Sequence, residues 1–191
     1  MIERIVFWQP WDEVGLEQLR LVTNDEGAIA DGLIIRVVDD QPIRLRYEIR
    51  VDAAWRLREA NFDTWLPAYR QLKLRADGCG SWTDATGRRV DELAGCVDID
   101  LNLTPFTNTL PIRRFRLEPG AAEEISVAYV VAPDLSVQPV RQRYTRLENR
   151  GTGGRYHYEG LGTGFETEVQ VDADGIVIDY PGIWRRLPPE R

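Results

Sequence analysis

Between Ile43 and Leu57 the chain alternates strictly. Ile43, Leu45, Tyr47, Ile49, Val51, Trp55 and Leu57 share one parity, while Arg44, Arg46, Arg50, Arg56 and Arg58 take the other. A period of two marks a strand with one buried face, so this stretch predicts a long strand, or two joined at 52–54. Similar alternation recurs at Leu72 and Leu74, Val97 to Leu103, Ile125 to Val131, Tyr156 and Tyr158, and Ile176 to Tyr180. Turn chemistry separates these runs at Asn24 to Gly27, Asp39 to Pro42, Asp77-Gly78, Asp84 to Gly87, Pro119-Gly120 and Asp172 to Gly175. The pattern predicts an all-β, mainly antiparallel meander of short strands. Such a meander must curl or close to protect its edges, which favours a roll or barrel over an open sheet.

One segment breaks the alternation. Thr104-Pro105 reads as an N-cap followed by proline at the first helical position, and Pro111 excludes an uninterrupted helix beyond it. A short helix is expected to begin near Thr104, or to restart at Thr109 with Pro111 in its first turn, burying Phe106, Leu110, Phe115 and Leu117. No linker or repeat divides residues 1–191, which form one expected domain, and the closing Leu-Pro-Pro-Glu-Arg reads as a frayed tail.

Charge and composition narrow the partners. A formal charge of -7 and a pI near 4.9 oppose nucleic acid as the main partner. No run approaches the roughly 18 apolar residues of a membrane span, and the first residues lack an export-signal pattern. The expectation is a soluble, cytoplasmic protein without integral membrane association. Cys79 and Cys96 have neither metal-type nor CxxC spacing and read as reduced, partly buried thiols. No Walker loop, GxSxG elbow or HExxH helix is present, and Gly151 to Gly164 reads as hairpin and bulge glycines; no cofactor is expected.

The run GCVDIDLNLTPFTNTLPIRR at 95–114, with DGCGSW at 77–82, YEIRVDAAWRLR at 47–58 and VDADGIVIDYPGIWRRL at 171–187, resembles the Putative glycolipid-binding family of bacterial proteins. The resemblance implies a spiral β-roll of about fifteen strands wrapped around one short α-helix, one of the all-β solutions to the edge problem. That architecture is similar to the periplasmic lipoprotein carriers, and implies a glycolipid or fatty-acyl ligand. The missing export pattern sets this chain apart from a periplasmic shuttle, so the lipid inference rests on structural analogy.

Several residues could carry chemistry. Asp98, Asp100 and Asn102 share a strand face if Val97, Ile99, Leu101 and Leu103 face the core, with alternate side chains roughly 7 Å apart. They read first as solvent-facing or paired with arginines of the 43–57 strand, and second as an acid-base pair. Thr107, Asn108 and Thr109 suit bonds back to nearby backbone. Alternatively, Asn108, Arg113 and Arg114 gather at the mouth of the roll to hold a phosphate, carboxylate or sugar head group, Arg114 foremost. His157 reads as a surface strand histidine, or as a base paired with Glu159 or Asp98. Most of the six tryptophans belong to the core, and a minority could line a ligand cavity.

Three functions compete. The preferred one is non-catalytic binding of a glycolipid or other acyl-chain ligand inside the roll, with Asp98, Asp100, Asn108, Arg113 and Arg114 as binding residues. A helix inside the roll competes with such a ligand for space, because protein interiors pack to crystal-like density. The alternatives are a hydrolase using Asp98, Asp100 or His157, and an interaction protein that dimerises through an uncovered strand edge.

Overall fold

A computed structural model describes residues 1–148 and 153–188. Seven strands come first: β1 (Ile2–Pro10), β2 (Gly15–Asn24), β3 (Gly27–Val38), β4 (Gln41–Asp52), β5 (Leu57–Leu66), β6 (Arg70–Ala76) and β7 (Trp82–Asp84). After β8 (Asp98–Leu101), a 3-10 turn at Phe106–Asn108 leads into the helix α1 (Thr109–Phe115). Six strands follow: β9 (Ala122–Val131), β10 (Ser136–Leu147), β11 (Gly154–Leu161), β12 (Phe165–Val171), β13 (Val177–Tyr180) and β14 (Trp184–Leu187). Among the described residues no helix is long and apolar enough to cross a membrane.

All fourteen strands form one sheet, ordered β7-β6-β5-β4-β3-β2-β1-β14-β13-β12-β11-β10-β9-β8. Each neighbour is antiparallel except β8, which runs parallel to β9. The first and last strands pair from Phe7↔Leu187 to Pro10↔Trp184, which joins two meanders into one sheet. The sheet does not close on itself. It curls until β8, at one margin, packs against β5 of the other half. This is the expected spiral roll, with fourteen strands where about fifteen are implied by the resemblance.

The stretch 43–57 divides into two strands, and Trp55 turns the corner between them with a left-handed φ of 60°. Its seven alternating apolar positions are all buried, while Ala53 and Ala54 at the turn are exposed. Hairpin turns at 11–14, 39–40, 67–69, 132–135, 162–164 and 181–183 define one end of the roll, here the upper end; turns at 25–26, 53–56 and 172–175 define the lower end. α1 descends between them. The Thr104 hydroxyl accepts the Phe106 N–H at 3.0 Å and caps the 3-10 turn, and Pro111 lies in the first turn of α1. Phe106 and Leu110 are almost wholly buried, and Phe115 and Leu117 pack at the margin of the core. The tail expected to fray begins at Leu187, and its last three residues lie outside the described ones, as do Gly151 and Thr152 of the glycine-rich run.

The two free margins of the sheet are tied together by short-range contacts. The Trp82 indole N–H donates to the Cys96 carbonyl at 2.8 Å, and the Gly95 N–H donates to the Gly80 carbonyl at 2.9 Å. A Cβ on Gly80 would stand 3.0 Å from the Gly95 Cα, and its φ of 104° suits only glycine. The DGCGSW run therefore holds β7 beside the start of β8. Cys79 is exposed rather than partly buried, Cys96 is buried, and both are free thiols.

Gly32 has a separate task. It sits opposite Tyr47, whose ring lies across β3 so that its hydroxyl reaches Glu17 on β2. A Cβ at position 32 would fall 2.1 Å from the Tyr47 ring. Gly32→Ala is expected to cost roughly 1–3 kcal/mol through overpacking. Urea denaturation measures this, and an unchanged midpoint would mean the ring moves aside freely.

Candidate ligand-binding cleft

At the upper end, side chains from the second half of the sheet, β8 to β14, surround a cleft of about 240 Å³. β8 and its extension supply Asp100, Asn102, Thr104 and Asn108; β9 supplies Tyr129; β11 and β12 supply Tyr158 and Phe165; the β13–β14 hairpin supplies Tyr180, Ile183 and Trp184. Both the aspartate-rich run and the Tyr-Pro-Gly-Ile-Trp run therefore contribute to one wall.

The polar face of β8 points inward, toward the 3-10 turn and α1. Solvent exposure of that face does not hold: Asp98 is fully buried, and it pairs with Arg114 of α1 at 2.6 Å rather than with an arginine of β4 or β5. The reason is the spiral, which buries both faces of an edge strand. Burial raises the Asp98 carboxyl to about 6 even though Arg114 opposes the shift. Asp100 accepts from the Thr107 hydroxyl and the Gln142 amide, each at 2.6 Å, and burial pushes its carboxyl above the ordinary value. Asn108 donates to the Pro105 carbonyl at 3.1 Å and accepts the Tyr144 hydroxyl at 2.9 Å. Of the three residues expected to bond back to the backbone, Asn108 does so. Thr107 turns to Asp100, and the Thr109 hydroxyl is buried without a partner among the described residues.

The aromatic groups are mutually braced. Tyr158 meets Tyr144 edge-on at 5.3 Å and Tyr180 at 6.3 Å, and Phe165 tilts against Tyr158 at 6.0 Å. The hydroxyls of Tyr129, Tyr158 and Tyr180 and the amide nitrogen of Asn102 have no hydrogen-bond partner among the described residues. Burial raises all three phenols above the usual range, with the Asp100 charge a further cause, so they stay protonated. The Asn102 oxygen accepts the Ala132 N–H at 3.0 Å, which orients its free amide nitrogen. The result is a ring of rigid, unspent donors and acceptors beside aromatic faces.

Behind the cleft lies a buried acid. Glu17 accepts the Tyr47 hydroxyl at 2.6 Å and the Thr104 hydroxyl at 2.7 Å, and its second oxygen has no partner. Burial raises its carboxyl from 4.5 to about 8, outweighing those two hydrogen bonds and the Arg36 charge, which lower it. Arg36 in turn pairs with Glu13 at 2.6 Å and lies 4.7 Å over the Trp184 ring. Glu17 escaped the sequence reading, yet it shares parity with the buried Leu19 and Leu21. A charged residue on the apolar parity of a strand is the signal that marks it.

The other anticipated residues lie elsewhere. Asn108, Arg113 and Arg114 do not gather at one mouth: Asn108 lines the upper cleft, and Arg114 is held by Asp98 inside the roll. Arg113 reaches the lower end, where it lies 4.6 Å over Trp55 and donates to the Asp174 carbonyl at 3.1 Å. There it borders an open groove of about 450 Å³ with Arg116 and Arg146. His157 is half-buried, with Glu166 at 3.4 Å; Arg143 holds the neighbouring Glu159 at 3.3 Å. Most of the tryptophans are in the core as expected, with Trp8, Trp55, Trp82 and Trp184 buried; Trp184 also lines the cleft, whereas Trp11 and Trp65 are exposed.

Residues 5–186 match the family described as Putative glycolipid-binding. A crystal structure of a DUF1089 family protein from Pseudomonas aeruginosa is similar at 40% identity and a TM-score of 0.81, covering 90% of this chain and 92% of that one. A beta-barrel-like protein of the DUF1849 domain family from Brucella abortus shares the fold at 9% identity and a TM-score of 0.57, over 96% of this chain and 93% of that one. No curated protein matches. The chain belongs to the Putative glycolipid-binding family.

The titration of Glu17 has a definite sign. Between about 4.5 and 8 the folded protein keeps a proton on Glu17 that the unfolded chain releases, so stability is greatest below this window and falls as pH rises through it. Asp98 acts in the same sense up to about 6. Glu17→Gln is expected to flatten the decline and to be more stable than the parent at about pH 8. Thermal melts across this range test it, and parallel curves for the two proteins would refute the assignment.

Proposed function

We propose that this member of the family binds a glycolipid by its sugar, held in the upper cleft, without transforming it. The observation that carries this reading is the set of groups around the cleft: the three tyrosine hydroxyls and the Asn102 amide nitrogen, which are unspent, and the Asp100 carboxylate, which keeps further acceptor capacity, beside the faces of Tyr158, Tyr180 and Trp184. A sugar ring needs such a mixture. Its hydroxyls call for closely spaced donors and acceptors, and its apolar C–H face packs on aromatic rings.

Size supports a ring rather than a chain. A volume of about 240 Å³ is below the ~300–1,000 Å³ of pockets that enclose a drug-sized ligand. Phe106, Leu110 and Ile112 occupy the space beneath it, where an acyl chain inside the roll would have to lie. The hydrocarbon therefore stays outside. Asp100 and Asn108 are the anticipated binding residues that this reading retains, and Asp98 and Arg114 support the wall from behind.

Titration calorimetry with free monosaccharides, alkyl glycosides and a fatty acid tests the reading. Tyr158→Phe and Asp100→Asn each remove hydrogen bonds to the ligand and are expected to weaken glycoside binding roughly tenfold, the equivalent of about 1.4 kcal/mol. Fatty-acid binding that is as tight as glycoside binding and indifferent to Asp100→Asn would overturn it.

A further inference from the structure

Exposed apolar side chains are distributed very unevenly over this roll. Eleven large ones are exposed among the described residues, and only Met1 and Ile2 lie at the lower end. The rest crowd the upper end, eight of them on the rim from β1 to β6 and Phe165 at the cleft. Val14 and Tyr69 occupy hairpin turns, Ile35 and Leu66 lie on the outer sheet face near their strand ends, and Phe165 stands at the cleft itself. Scattered exposed leucines need no explanation, but a set confined to one end does.

The register shows how local this is. The outer row nearest the upper end runs Leu16↔Ile35↔Arg44↔Leu66 across four strands. Further down, the equivalent row runs Arg20↔Asp31↔Glu48↔Asn61, the polar composition expected of a solvated face. Trp11, Trp65 and Tyr69 add amphipathic rings, and Arg44 lies 5.3 Å over Trp65. Trp and Tyr combine an apolar body with a polar tip and concentrate where water meets hydrocarbon. The belt adjoins the cleft at Trp11: its backbone N–H donates at 3.2 Å to the carbonyl of Ile183, a cleft residue, and its indole N–H donates to Asp179.

Charge selects among surfaces. The turns at this end expose Asp12, Asp39, Asp40 and Asp134, none of them ion-paired among the described residues. Carboxylates on the tips that would touch first are repelled by an anionic bilayer.

We infer that the upper end of the roll is a docking surface for an electrically neutral lipid bilayer, into which the apolar rim dips while the cleft faces the head-group layer. The orientation rests on the sugar-cleft reading, since it places the hydrocarbon of a bound glycolipid in the bilayer beside the belt. The docking itself rests on the belt and the acidic tips.

The test is flotation with phosphatidylcholine vesicles, with and without monoglucosyl or monogalactosyl diacylglycerol, alongside titration with free sugar. The parent should float with neutral vesicles, and replacing part of the phosphatidylcholine with phosphatidylglycerol should reduce binding. Val14→Ser/Ile35→Ser/Tyr69→Ser alters exposed side chains only; it should lower vesicle partition roughly tenfold, with free-sugar affinity unchanged. Flotation of this variant equal to the parent's, tighter parental binding to anionic vesicles, or a stable homodimer dissolved by the same substitutions would each overturn the inference. Belt-dependent flotation without any sugar affinity would uphold the docking surface and refute the cleft reading instead.

Discussion

The Asp98–Arg114 ion pair joins the inner margin of the sheet to the helix inside it, and the helix residues that reach the upper cleft and the lower groove are placed by where that helix lies. An alternating strand at the edge of a roll would ordinarily turn its polar face to water. Here the spiral carries β8 inside, so Asp98 must be compensated by a charge that is also inside. Arg114 answers it from the last turn of α1, where a cation also complements the helix dipole. Removing one member of such a pair typically costs roughly 3–5 kcal/mol, because the other remains buried and uncompensated. With β8 and α1 locked, the 3-10 turn above them presents Asn108 to the upper cleft, and the last residues below present Arg113 and Arg116 to the lower end.

Rigidity at the cleft comes from bonds made behind it. Thr104 faces the cleft and donates backward to Glu17, Asn108 is gripped by Tyr144 and Pro105, and Asp100 is gripped by Thr107 and Gln142. Each of these wall residues thus spends hydrogen bonds on the fold, which fixes its side chain at the cleft. Preorganisation of this kind lowers the entropy cost of capturing a ligand. Glu17 completes the arrangement as a neutral acid near pH 7, so the wall is backed by a hydroxyl-accepting group that adds little negative charge behind Asp100.

Much of this fold was legible in the sequence, because period-two alternation and Asn, Asp and Gly turns are local signals. The alternating run from Ile43 to Leu57, read as one strand or two joined at 52–54, the turns at 39–42 and 172–175, and the helix restarting at Thr109 follow from them directly. The site was less legible. Asp100 and Asn108 were visible within a dense polar run, but Tyr129, Tyr158 and Tyr180 look like ordinary core tyrosines until the curl of the sheet brings three strands to one rim. Arg113 and Arg114 are neighbours in sequence and part company in space, since adjacent helical residues point about 100° apart. Glu17 was overlooked although its parity marks it, and Asp98 was assigned to solvent because alternation alone cannot tell an outer strand from one wound inside.

The packing of the interior constrains how an amphiphile could be held. With Trp8, Tyr47, Phe62, Phe106, Trp82 and Leu110 filling the roll, the largest hydrophobic gain available to a bound lipid lies outside it, on whatever apolar surface the fold leaves exposed. That surface is the upper rim, beside the cleft. A fold that enclosed the chain would need a cavity and an empty-state cost to match; one that holds only the sugar needs neither, and leaves the chain in the environment that already solvates it. On the proposed reading, the apolar rim and the polar cleft serve the two halves of one ligand, and the helix, by filling the core, is what separates their tasks.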